Sequence, residues 1–121
     1  MARLGKEYKD GEVIVRQGEP GNCMYVVQQG EVAAIAESNG RELLLRSMGP
    51  SDFFGEMALF ETVTRSATVR AVGKARVLTI DKKSLLAAVH EDPSLVFRIV
   101  QVMSQRIRDL TDRLAKYEET F

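Results

Sequence analysis

Short apolar runs, separated at near-even spacing by glycine-containing turns, set the tightest limit on how this chain can fold. Leu4 and Tyr8 suit a first strand before the Asp10-Gly11 turn signal. Val13, Ile14 and Val15 fill a second, over 12–16, and Gly18-Glu19-Pro20-Gly21 turns the chain. Residues 23–29 and 31–36 read as two strands divided at Gly30, and Ser38-Asn39-Gly40 has the chemistry of a hairpin loop. The returning strand over 41–48 closes at Gly49-Pro50. Two more, 66–71 and 75–81, are expected across Val72-Gly73-Lys74. Many short strands with such turns predict a β-barrel, sandwich or roll.

One stretch within this pattern carries chemistry. From Phe53 to Ala71 the chain reads FFGEMALFETVTRSATVRA: a strand end, a tight turn at Gly55, one short helix, a loop and a new strand. Glu56, Met57, Ala58, Leu59 and Phe60 favour a helix but are too few to hold one alone. A helix so short persists where its free N-terminal N–H groups have a use, and an anion is the usual one. Nine residues after Glu56 comes Arg65, a planar fork suited to phosphate, and then the Ser66 hydroxyl and N–H. A carboxylate, a guanidinium and a helix N-terminus in so short a span suit a sugar phosphate.

GEMALF followed by TRSATV resembles the phosphate-binding cassette of cyclic nucleotide-binding domains, found in the bacterial catabolite activator family and in protein kinase A regulatory subunits. GEVIVRQGEPG at 11–21 and the turns at Gly30 and Gly40 extend the resemblance over almost the whole chain. It implies a mainly β fold with C-terminal helices: a double-stranded β-helix, or jelly-roll-like β-roll, then a short helix and a long dimerisation helix. The chain then forms one domain over 1–121, with the roll in 1–81, the cassette in 53–71 and the helices in 82–121.

The resemblance also implies residue roles. Arg65 would contact the exocyclic oxygens of a cyclic phosphate, helped by Ser66, with the backbone of Gly55, Met57 and Ala58 close by. Glu56 would accept a hydrogen bond from the ribose 2′-hydroxyl. Leu45 and Met48 would pack on the purine, although both serve equally well as core. Thr111 would reach the base from the long helix, partly across a dimer. The ligand it implies would be cAMP in preference to cGMP. Each residue also has a plainer reading: Arg65 a solvated loop arginine, Glu56 a partner of the helix dipole, Thr111 a solvent-facing threonine.

The tail changes character. Residues 82–91 predict a helix with Leu85, Leu86 and Val89 on one side, and Pro93 suits the first turn of the next. From Ser94 onward there is neither Gly nor Pro. Val96, Val100, Met103, Ile107, Leu110, Leu114, Tyr117 and Phe121 alternate spacings of four and three, a heptad seam for a second copy of the chain. Arg113 and Glu118 fall at flanking positions that a parallel partner could pair. Leu95, Ile99 and Val102 form a second stripe, expected to pack on the chain's own roll. The helix is the expected output, with Leu59 and Phe60 acting on 87–102 as the ligand draws in the cassette.

Composition supplies exclusions. Seventeen basic residues balance seventeen acidic ones, which argues against nucleic-acid contact by this chain. One histidine, His90, and one cysteine, Cys23, cannot build the usual metal site or an internal disulfide. Cys23 reads as a small buried apolar residue and His90 as a helix C-terminal dipole partner. No nucleophile–base pair stands out, so neither an enzyme nor a cofactor is expected. No run is apolar enough to span a membrane and no signal peptide is visible, so a cytoplasmic location is expected. A winged helix-turn-helix and a leading helix, features of full-length regulators, are absent from the 121 residues. A stand-alone sensor and the sensor portion of a longer regulator or channel both fit, each acting through an effector. The competing reading is a nucleotide-free interaction module working through the coiled coil.

Overall fold

The structure, a computed structural model, describes residues 4–61 and 64–119; Thr62 and Val63 of the cassette and Phe121 of the heptad seam lie outside them, as does the side chain of Glu118. In order come β1 (Lys6–Tyr8), β2 (Val13–Val15), β3 (Cys23–Ser38), β4 (Arg41–Met48) and β5 (Phe53–Phe54). A 3-10 helix (Glu56–Leu59), β6 (Thr68–Asp81), α1 (Lys82–Glu91) and α2 (Ser94–Glu119) follow. The chain is mainly β with two C-terminal helices. It divides into two compact units, Met1–Lys82 and Lys83–Phe121.

Every strand of the first unit pairs antiparallel, in the order β1-β6-β3-β4, with β2 also on β6 and β5 on β3. The β3–β4 hairpin turns where its sequence requires. Asn39 and Gly40 both take positive φ, 52° and 75°, the two-residue turn whose twist matches its flanking strands. Ser38 pairs with Arg41 across it.

Two expected strand breaks are absent. Residues 23–29 and 31–36 belong to one strand, β3, and 66–71 and 75–81 merge into β6, which begins at Thr68. Gly30, at φ +82°, bends β3 without ending it. Its register with β6 slips on both sides of Gln29, so that Gln29 faces Arg76 while Glu31 faces Val72. The surplus residues, Gln28 on β3 and those between Val72 and Arg76 on β6, form bulges that add twist and turn both strands together. Glycine is required there because a Cβ would overlap the Lys74 carbonyl oxygen.

The bent strands close over Tyr8, Val15, Val27, Val32, Met48, Phe54, Val69, Ala71, Ala75 and Val77. Val27 and Val32 have no exposed surface at all, which at roughly 25 cal/mol per Å² stabilises the roll by about 2 kcal/mol for each side chain. In the second unit, α1 has no buried residue and ends near His90. Along α2, Leu95, Ile99, Val102 and Met103 are half-buried, while Val96, Val100, Ile107, Leu110, Leu114 and Tyr117 are exposed. Among the described residues, no helix is long and apolar enough to cross a membrane.

Candidate functional site

The cassette is built on the end of β5. Phe53 and Phe54 pair with Val26 and Tyr25 of β3 and are buried, which pins the chain just before it turns. Gly55 then takes a left-handed conformation, φ 77° and ψ 13°, from which a 3-10 turn starts at Glu56. The helix is one tight turn without a side-chain cap, held inward by buried Leu59. Tight i→i+3 closure is what four residues can sustain. The Ala58 N–H donates to the Gly55 carbonyl at 3.3 Å, a long bond by the usual standard.

The returning limb is anchored by backbone. The Arg65 N–H donates to the Glu19 carbonyl and its own carbonyl accepts from the Gly18 N–H, both at 2.8 Å. Pro20 bridges Thr64 next to this pair. The sequence places the two segments some forty-five residues apart, and the turn at 18–21 brings them together.

From this anchor the Arg65 side chain runs inward. Nη1 donates to the Gly55 carbonyl at 3.1 Å and Nη2 to the Cys23 carbonyl at 2.9 Å. Its Cζ lies 5.6 Å from the centre of the Tyr25 ring. A methyl group on Gly21 would overlap the guanidinium, and one on Gly55 would come within 2.6 Å of Nη1. Both glycines therefore make room for the fork.

Gly55, Glu56, Met57, Ala58, Thr64, Arg65 and Ser66 together line a cavity of about 370 Å³, within the range of small-molecule clefts. Six of the nine sequence-derived site residues thus share one wall. Its charged groups are one carboxylate and one guanidinium. Backbone N–H groups and the Ser66 hydroxyl supply donors for an anion.

Three residues stand elsewhere. Met48 is 3% exposed and sits in the core opposite Val32. Leu45 is half-buried at the β4 bulge, between the Ala34–Arg46 and Ile35–Leu44 pairs. Neither lines the cavity among the described residues. Thr111 is exposed on α2 and donates its hydroxyl to the Ile107 carbonyl at 2.9 Å, a local bond typical of helical threonine.

Cys23 differs from expectation. It is half-buried, its thiol donates to the Tyr25 hydroxyl at 3.5 Å, and its carbonyl holds Arg65. Burial, then the Cys23 hydrogen bond, pushes the Tyr25 hydroxyl up to about 12, against a smaller opposing pull from Arg65. Sequence reading missed Gly21, Cys23 and Tyr25 as neighbours of Arg65. The aromatic at Tyr25 was the one available signal. Among the described residues, no group of three or more His, Cys, Asp or Glu side chains could hold a metal ion.

The sequence profile of the cyclic nucleotide-binding domain family matches residues 5–92, the whole stretch that builds this cavity. The chain belongs to that family. As a member it is a cyclic nucleotide-binding regulatory domain. It is 37% identical over 116 residues to a candidate potassium channel protein of Rhodopseudomonas palustris, covering 93% of this chain and 27% of that protein. It is 29% identical over 110 residues to the CRP-like cAMP-activated global transcriptional regulator of Mycobacterium tuberculosis, covering 90% and 49%. The catabolite activator protein of Thermus thermophilus superposes with a TM-score of 0.78 at 30% identity, over 93% of this domain and 52% of that chain. The domain thus spans between about a quarter and about half of these relatives' own length. Their shared region is the cyclic nucleotide-binding part, and their remaining lengths differ.

Proposed function

We propose that this domain senses a cyclic nucleotide, cAMP in preference to cGMP, and passes the signal to an effector through its C-terminal helix. One observation carries the reading: Arg65 shares a cavity wall with Glu56, the 3-10 turn and Ser66. A cyclic phosphate bears one negative charge, which the Arg65 fork and the Ser66 hydroxyl would receive. The long Ala58–Gly55 bond is readily exchanged for a phosphate oxygen. Glu56 would take the ribose 2′-hydroxyl and so exclude a deoxyribose. The name of the Mycobacterium tuberculosis relative supports cAMP as the nucleotide.

Thr111 from the long helix and Leu45 from β4 are the proposed base contacts. Met48 would act from beneath, as a core residue supporting that strand. The exposed heptad positions of α2 support a homodimer through 94–121. The balanced charge supports an output through protein rather than nucleic acid. For a ligand to signal, it must favour one of two arrangements of the helix.

Calorimetric titration with cAMP and cGMP, after removing any co-purified nucleotide, tests the reading. Wild type should bind, and Arg65→Ala should lose on the order of 2–5 kcal/mol of binding energy, since it removes the partner of a desolvated charge. Bound nucleotide should also change amide exchange along α2. Binding of neither nucleotide by folded wild type would leave the exposed α2 stripe as the functional feature, and the chain an interaction module.

A further inference from the structure

Phosphate recognition by Arg65 depends on where its fork is held, and the groups that hold it come from other strands. Tyr25 on β3 faces Phe54 of β5 across the ladder, and the two rings stack with centroids 5.1 Å apart and planes 13° from parallel. Phe54 is itself buried in the roll's core. The Arg65 guanidinium lies over the Tyr25 ring, while Cys23, two residues earlier on the same strand, offers its carbonyl to Nη2. Successive ring contacts therefore link the core, through Phe54 and Tyr25, to the cation at the cavity wall.

We propose that Tyr25 is a positioning residue for phosphate binding: its ring, braced on Phe54, holds the Arg65 guanidinium against the carbonyls of Cys23 and Gly55. This rests on the cyclic nucleotide reading for its ligand, though not for its geometry. Carbonyl bonds alone fix two nitrogens and leave the plane free to tilt about the line joining them. A ring face fixes the plane, because the quadrupole of the ring attracts the cation over its face. An arginine already held in one rotamer loses less freedom when a phosphate arrives, which is where preorganisation gains affinity. The ring does this and not the hydroxyl, which accepts a hydrogen bond from the Cys23 thiol.

The test compares Tyr25→Leu, which removes the ring, with Tyr25→Phe, which keeps it. Tyr25→Met, a flexible filler of similar reach, replaces the leucine variant if that fails to fold. Two readouts are taken on the full chain: cAMP affinity by calorimetry, and the Arg65 side-chain N–H signals of the nucleotide-free protein by NMR. In wild type the Arg65 guanidinium should rotate slowly and show ring-shifted signals. Tyr25→Leu should average those signals and weaken cAMP binding about tenfold, and Tyr25→Phe should restore both. Unchanged Arg65 signals in Tyr25→Leu, or wild-type affinity in it, would overturn the proposal, as would equal loss in the phenylalanine variant. Should wild type bind no cyclic nucleotide, the functional reading falls. The NMR comparison then still decides whether Tyr25 holds the guanidinium.

Discussion

In the roll, Val27, Val32 and Val77 are sealed from water, whereas along α2 Val100, Ile107, Leu110 and Leu114 each keep more than half of their surface exposed. The roll closes on itself because its strands join residues far apart in sequence, Cys23 to Asp81 and Lys6 to Val77, and their inner faces meet. The helix satisfies its backbone internally over 26 residues and needs no neighbour to do so. Its apolar stripe is therefore left over from folding. A self-contained roll suits a site that must stay fixed, and an exposed stripe suits a surface meant to meet another chain.

The largest expected effect breaks the roll alone. Gly30→Ala puts a Cβ onto the Lys74 carbonyl and within 2.9 Å of the Ala75 Cα, at a φ of +82°. Left-handed strain adds about 1–3 kcal/mol and overpacking against backbone about as much again. We expect a loss of about 3 kcal/mol or more in urea unfolding followed by tyrosine fluorescence in a Tyr117→Phe background, where the remaining tyrosines, Tyr8 and Tyr25, both lie in the roll. A change below about 1 kcal/mol would show that the Gly30 bend is not a fixed corner.

A pair of smaller substitutions sharpens the contrast. Val32→Ala, with no room to relax, should cost the roll about 2 kcal/mol from lost burial and the cavity left behind. Leu110→Ala should leave that transition where it is, since the side chain is 55% exposed. Sedimentation should instead show a dimer that dissociates at roughly tenfold lower dilution, about 1.4 kcal/mol. If Leu110→Ala moved the unfolding midpoint as far as Val32→Ala, the two-region picture would fail.

The same contrast explains what could be read before the fold was known. The bounds 41–48 and 82–91 were legible because each is a local pattern ended by local punctuation, Asn39-Gly40 and Asp92-Pro93. The cassette was legible in the same way, since Gly55, Glu56, Arg65 and Ser66 lie within twelve residues. Gly30 and Gly73 misled because a glycine at positive φ either ends a strand or bends it, and only the partner strand decides which. Cys23 was invisible as a site neighbour because it acts through its carbonyl, which every residue has, across forty-two positions of sequence.

The smallest effect is a dependence on alkaline pH, confined to the roll. Tyr25 has its pKa raised from 10.0 to about 12, chiefly by burial and then by its bond with the Cys23 thiol. The folded state thus favours the protonated phenol more strongly than the unfolded chain does. Its contribution to stability is complete below about pH 10 and is lost as pH rises through about 12, because the unfolded chain gives up its proton first. Wild type should therefore lose stability relative to Tyr25→Phe between those values, and phenolate absorbance should show one tyrosine ionising last. Parallel stability curves for the two proteins would mean that Tyr25 meets water more freely than its stack on Phe54 implies. Its hold on Arg65 would then depend on the carbonyls instead.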